Sequence, residues 1–178
     1  MSAQELVDIV TRDDEVIKTV PRQVMRAEHL PHRASYIVVL DARGRVLVEV
    51  RTLSKDYAPG LFDACVGGVM QSGEDPVVSA GRELFEEIGV KPEQVHLQYL
   101  GKQIIPYQKR SESFVMAYLF IAQGDFISVR QKSEVSGIMY LTPSELRSLK
   151  ASCTYDSVIA FEEALKRATE QGYLKSEE

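Results

Sequence analysis

Residues 75–89 leave this chain little freedom. Asp75 is a residue type that caps a helix N-terminus, and Pro76 suits the first helical position, where its missing N–H costs nothing. Gly89 suits the left-handed residue just past a helix end. The spacing therefore predicts a helix over 76–88. At about 100° per residue, Val77, Val78, Ala80, Gly81, Leu84, Phe85 and Ile88 fall in one arc, which is predicted to face the core. Val77, Gly81, Leu84 and Ile88 are expected to do the packing. Glu83, Glu86 and Glu87 fall together on the opposite side, because residues three and four apart share a face, and Arg82 lies one turn before Glu86. Three crowded carboxylates repel each other. Such a face is either a solvated acidic surface or a place for a hard divalent cation, which takes clustered carboxylate oxygens.

The rest of the chain surrounds this helix with strands. Residues 7–20 read as two short strands about an Asp13-Asp14 turn, and Pro21 opens a short helical stretch toward Leu30. Ser35 to Leu40 is rich in β-branched and aromatic residues, as a central strand is, and it turns at 41–44 into a returning strand over 45–50. Residues 51–74, punctuated by Pro59-Gly60, Gly67-Gly68 and Gly73, read mostly as loop. Strands are predicted over 95–105 and 113–122, joined by a polar loop with Lys109 and Arg110, and over 135–141. Thr142-Pro-Ser-Glu145 is a capping box that starts a helix ending near Lys150. Residues 157–171 form an amphipathic helix with Val158, Phe161, Leu165 and Ala168 on one face. Glu162–Lys166 and Glu163–Arg167 are its expected ion pairs. Strands interrupted by helices place the chain in the mixed α/β (α+β) class.

At 178 residues, with 44% hydrophobic side chains, the chain can bury a core without disulfides or metals as staples. Its net charge of −5 gives no long-range field to draw in a polyanion, so neither nucleic acid nor an anionic membrane is an expected partner. No apolar run approaches the ~20 residues of a membrane helix. The N-terminus lacks a basic start followed by an apolar run, so the expected location is cytoplasmic. Cys65 and Cys153 are then expected as free thiols, Cys65 as a small buried hydrophobe. The aromatics Tyr36, Phe62, Tyr99, Tyr107, Phe114 and Tyr118 read as core, with a base-stacking platform as the alternative.

Residues 68–90 as a whole resemble the Nudix box. Gly68, Glu74, Arg82, Glu83, Leu84, Glu86, Glu87, Gly89 and Val90 match its pattern without departure, seven of them as fixed residue types. The resemblance extends in outline over roughly 35–175. It implies an α/β/α sandwich around a curved mixed sheet, as one domain over 1–178 with the hairpin of 7–20 as an extension and the 157–171 helix closing it. It implies a hydrolase that cleaves a diphosphate bond in a nucleoside-diphosphate-linked or similar small molecule, using Mg²⁺ or Mn²⁺. Glu86 and Glu87 map onto the principal metal ligands, and Glu83 onto a further ligand or the base that activates water. Arg82 maps onto the residue that orients the glutamates, Glu74 onto a supporting carboxylate, and the carbonyl of Gly67 onto a metal ligand of some members. Members often add an acidic residue from a later loop, for which Glu134 and Glu112 are the options. A homodimer is left open.

Two further stretches look like the isopentenyl-diphosphate isomerase branch of that superfamily: the run from His32 to Leu40, and Arg51-Thr-Leu-Ser-Lys55 before Pro59-Gly60. That likeness implies that Arg51 and Lys55 hold substrate phosphates, against the plainer reading of two solvated loop cations. The isomerase chemistry itself departs. Where those enzymes carry Cys-Gly-His, this chain has Gly67-Gly68-Val69, and Met25 stands where an earlier histidine would. Of the three histidines only His32 matches. The alternatives to a hydrolase are an isomerase-like enzyme and a non-catalytic nucleotide-binding module on the same fold.

Overall fold

The computed structural model describes residues 4–55, 57–107 and 110–175. Along them run β1 (Leu6–Val10), β2 (Val16–Pro21), α1 (Arg22–Glu28), β3 (His32–Leu40), β4 (Val46–Arg51), β5 (Phe62–Asp63), β6 (Val66–Val69), α2 (Pro76–Ile88), β7 (His96–Tyr107), β8 (Arg110–Gln123), β9 (Val135–Leu141), α3 (Pro143–Ser148) and α4 (Tyr155–Glu170). The apolar run of β3 earns its predicted central place. It pairs in parallel with β8 over its whole length and antiparallel with β6, and it touches β1 at Ile9 and β4 at Val46. The result is one mixed sheet that does not close into a barrel.

Side chains alternate across β3 and β8, and each face buries its own set. Ala34, Tyr36, Val38, Val115, Ala117 and Leu119 meet Phe161, Ala164 and Leu165 of α4. Ile37, Val39, Met116 and Phe120 meet Ala80, Leu84 and Ile88 of α2 on the other face. This is the α/β/α layering expected from the sequence. Among the described residues, no helix is long and apolar enough to cross a membrane. Cys65 and Cys153 are both free and buried.

The 51–74 stretch is mostly loop, as expected, and holds the short strands β5 and β6. Two expectations need correction. Gly67-Gly68 reads as punctuation, but the missing side chains let β6 lie close against β3, with Tyr36 opposite Gly67. Glu162 pairs with Arg147 of α3 at 3.0 Å instead of with Lys166, whereas Glu163–Arg167 forms at 2.7 Å. Lys109, expected in the polar loop after β7, lies outside the described residues, as does the end of the tail, 176–178.

The hairpin of β1 and β2 is fastened to the sheet. At its turn Asp14, with φ of 68°, accepts from Arg33 Nε at 2.7 Å, from Lys102 Nζ at 2.8 Å and from the Tyr118 hydroxyl. Asp8 accepts from Thr19, Ser72 and the Gly73 amide. Met25 of α1 packs between Val7, Ile9 and Val69. Helix α1 is thereby fixed against the hairpin and the end of β6.

Candidate active site

Helix α2 forms at the predicted bounds, for the predicted reasons. Asp75 Oδ1 accepts from the amides of Val77 at 2.9 Å and Val78 at 3.3 Å, and Gly89 takes the left-handed conformation. Its rotation about its own axis differs from the wheel. Ala80, Gly81, Leu84 and Ile88 are buried as expected, but Val77, Val78 and Phe85 are more than half exposed. In exchange Glu83 and Glu87 turn inward and are buried to 3% and 7% exposure, while Glu86 stays at the rim. A wheel that sorts residues by polarity sends every glutamate outward. Here the inward face meets a polar cavity, not only hydrocarbon.

Arg82 organises the carboxylates. Its Nε and Nη2 donate to the two oxygens of Glu74 at 2.8 and 3.0 Å, and its Nη1 donates to Glu83 at 2.8 Å and Glu86 at 3.1 Å. One planar, permanently charged donor thus holds three glutamates. Gly67 donates its amide to Glu87 Oε2 at 3.2 Å. At Gly68 a Cβ would stand 2.8 Å from Glu83 Oε1, so only glycine leaves that carboxylate its place.

The sequence reading missed Glu49. It follows Leu47 onto the α2 face of β4, is 3% exposed, and its Oε1 has no hydrogen-bond partner among the described residues. The available signal is a single charge inside the apolar run 46–50. Burial, and then Glu87 and Asp63, push the Glu49 carboxyl well above the usual range. Burial and the neighbouring Glu83 carry Glu87 up to about 8. Burial likewise raises Glu83 to about 7, although Arg82 opposes it. The cause is common to all three: acidic groups stacked in a dry place repel each other's negative charge.

Glu83, Glu86 and Glu87 floor a cavity of about 150 Å³ that is also lined by Gly67, Arg51, Lys55 and Glu134. The structure places Glu83, Glu86, Glu87, Gly67, Arg51 and Lys55 around this one cavity. Arg51 is held by Asp63 at 2.5 Å and by the Tyr57 carbonyl, and Lys55 is bonded to Glu134. Burial works to raise the Glu134 carboxyl, but Lys55 outweighs it and keeps it below the ordinary range. Glu112 is exposed on β8 and lines no part of the cavity. Asp63 and Asp156 were also missed. Asp156, in the first turn of α4, accepts from the hydroxyls of Tyr36 at 2.7 Å and Tyr57 at 2.8 Å. Of the aromatics read from the sequence as core, Tyr36 and Tyr107 reach the cavity, joined by Tyr57 and Tyr155. Among the described residues, no group of three or more histidine, cysteine, aspartate or glutamate side chains is placed to hold a metal ion.

His32 stands at the apolar end of the cavity with its Nδ1 2.9 Å from the Leu30 carbonyl, which requires that nitrogen to carry the proton. Burial, reinforced by Arg26 and Arg22, lowers it to about 4. The unfolded histidine titrates near 6.5, so between these values the unfolded chain binds more protons and stability falls as the pH drops. The loss from pH 7 to 4 should reach about 3 kcal/mol. Urea midpoints compared across that range in wild type and His32→Gln check this, since the variant should lose that part of the slope. Parallel slopes would refute it.

A family model described as NUDIX domain matches residues 30–160. The chain is 38% identical to the Uncharacterized Nudix hydrolase YfcD of Escherichia coli K12, over 99% of this chain and 96% of that protein. A Yersinia pestis protein, also named an uncharacterized Nudix hydrolase, is 40% identical over 96% of this chain and 91% of its own length. Among solved structures, DR0079 from Deinococcus radiodurans superposes with a TM-score of 0.74 at 25% identity, covering 91% of this chain and 98% of that one. The NUDIX domain of Shewanella oneidensis NrtR, solved with ADP ribose, superposes with a TM-score of 0.61 at 17% identity, over 77% of this chain and 88% of that one, and shows the shared fold.

Proposed function

Since the chain belongs to the Nudix hydrolase family, we propose that it is a divalent-metal-dependent enzyme that hydrolyses a diphosphate bond in a nucleoside-diphosphate-linked or similar small molecule. The observation that carries this reading is one cavity whose floor is glutamates of α2 and whose wall holds Arg51 and Lys55. The donor set fits a hard cation. It is all oxygen, and three carboxylates give it excess negative charge. Glu86, Glu87 and the Gly67 carbonyl would hold Mg²⁺ or Mn²⁺, with Glu83 beside them. When bound, that ion supplies charge neutralisation of the diphosphate and a lowered pKa of water.

The chain's own groups do the rest. Arg82 keeps Glu83 and Glu86 aimed at one place, so the site is ordered before substrate enters. Arg51 and Lys55 bind the diphosphate oxygens and orient them for in-line attack. A carboxylate within hydrogen-bond reach takes the proton of the attacking water, and Glu83 on the floor is the residue we assign. The isomerase alternative has no observation in its favour. Cys65 gives its thiol to the Ser157 carbonyl at 3.6 Å, and Gly67 and Val69 offer no acid–base side chain.

The test is a phosphate-release screen over nucleotide sugars, dinucleoside polyphosphates, nucleoside di- and triphosphates, coenzyme A and isoprenoid diphosphates, with Mg²⁺ and with Mn²⁺. Release that requires the metal supports the reading; no release from any compound with either metal defeats it. Neutralising the cations makes a narrower check. Lys55→Ala should raise KM about tenfold with little change in kcat, because a charge that binds ground and transition states alike acts on KM. The effect should shrink as salt rises. Arg51→Ala should do the same and also lower stability, since the part-buried Asp63 would lose its ion-pair partner and keep, among the described residues, only the Thr154 hydroxyl. Unchanged KM in both variants returns them to the solvated cations.

A further inference from the structure

The family match begins at residue 30, so α1 lies outside it, yet α1 forms part of the cavity wall. Arg22 and Arg26 stand one turn apart on α1, where residues i and i+4 share a face. Both line the inner cavity, and both also line a wider outer chamber that opens from it. Lys150 joins them there. The outer chamber has five cationic side chains (Arg22, Arg26, Arg51, Lys55 and Lys150) and, among the described residues, one carboxylate, Glu134. In a chain of net charge −5 that local balance is reversed. Arg51 and Lys55 already have carboxylate partners in Asp63 and Glu134. Arg22 differs: its Nε is buried with no hydrogen-bond partner among the described residues. A buried donor left unsatisfied is costly, and an acceptor supplied by a ligand would remove the cost.

Size points the same way. An inner cavity of about 150 Å³ is below the ~300 Å³ at which pockets for whole small molecules begin. It has room for a diphosphate, and the remainder of a substrate must pass Arg22 and Arg26 into the outer chamber. The packing of Met25 and the hairpin's bonds to Arg33 and Lys102 hold α1 in that position.

We propose that α1 completes a second anion subsite, in which Arg22 and Arg26, with Lys150, hold a further phosphate group of the substrate that lies beyond the hydrolysed diphosphate. The substrate class is then a diphosphate compound that carries an additional phosphate on one of its two halves. This inference rests on the hydrolase reading for the word substrate, but the subsite can be tested without turnover.

The first measurement is calorimetry of inorganic phosphate binding to the whole chain in EDTA. Arg22→Gln/Arg26→Gln should weaken binding at least about tenfold, the scale of a lost charge-assisted contact. Arg22→Lys/Arg26→Lys should recover part of it, and matching circular dichroism melts show that the variants fold. Absence of binding by wild type, or loss confined to Arg51→Ala and Lys55→Ala, overturns the subsite. The second measurement uses the Mg²⁺ screen. The Gln double variant should lose at least about tenfold in kcat/KM on diphosphates with an extra phosphate and under about threefold on those without. Equal losses on both overturn the inference. Absence of hydrolysis throughout, with the calorimetric loss retained, defeats the hydrolase reading and leaves the subsite standing.

Discussion

Glu86→Gln is expected to lower kcat/KM by ~10²-fold or more and to weaken Mg²⁺ or Mn²⁺ binding in step, the scale on which losing one preorganised electrostatic contact acts. The substitution keeps shape and removes one anionic oxygen donor from a hard-cation site. Glu86 is the right glutamate for this because its side chain is 44% exposed at the rim of the site. Its loss leaves no cavity and no buried unpaired charge, so the fold should survive and the rate should report chemistry. Arg82 keeps its contacts to Glu74 and Glu83, which preserves the rest of the array. Glu83→Gln makes the informative comparison. If Glu83 takes the proton, its variant should lose rate with a smaller loss of metal affinity. The measurement is kcat/KM against metal concentration, with Mn²⁺ affinity by calorimetry on the same samples. Full activity in Glu86→Gln, or wild-type activity persisting in excess EDTA, would sink the metal mechanism.

What could be read ahead of the structure follows from how local each signal is. The bounds of α2 are set by Asp75, Pro76 and Gly89 within its own length, and the helix formed where they place it. The central position of β3 follows from six adjacent residues that have to be buried on both faces. The spacing of the carboxylates along α2 was visible for the same reason. Its rotation was not, because that depends on what the sheet offers the helix. Glu49 on β4 and the β6 backbone make the inner face polar, and α2 turns Glu83 and Glu87 toward them while Val78 and Phe85 go to solvent. Asp156 shows the limit most clearly: it meets Tyr36 across 120 residues of chain, and no periodicity near either residue encodes the meeting. The five cations of the outer chamber are likewise scattered from Arg22 to Lys150, so no single stretch looks basic.

Gly67→Ala should be the most destabilising small substitution in the site, costing about 3–5 kcal/mol, in the range reserved for backbone strain combined with overpacking. Two terms add. Gly67 has φ of +152°, which an L side chain rarely adopts. Its added Cβ would also fall 2.0 Å from the Ser35 carbonyl oxygen, and that atom is backbone of the central strand and cannot swing aside. Relief would require β6 to move off β3, breaking the register of Tyr36 with Gly67 and Ser35 with Gly68. It would also withdraw the Gly67 amide from Glu87, so surviving folded protein should have lost activity. Two controls separate the terms. At Gly44, φ is +74° and a Cβ would meet nothing within 4 Å, so Gly44→Ala carries the conformational cost alone, about 1 kcal/mol. At Gly68 the obstacle is the end of the Glu83 side chain, which can shift, so Gly68→Ala should impair catalysis more than stability. Urea midpoints and slopes for the three variants decide it. A Gly67→Ala midpoint no lower than that of Gly44→Ala would mean that β6 parts from β3 at no cost, and that the close approach of these two strands does not hold the glutamate floor in place.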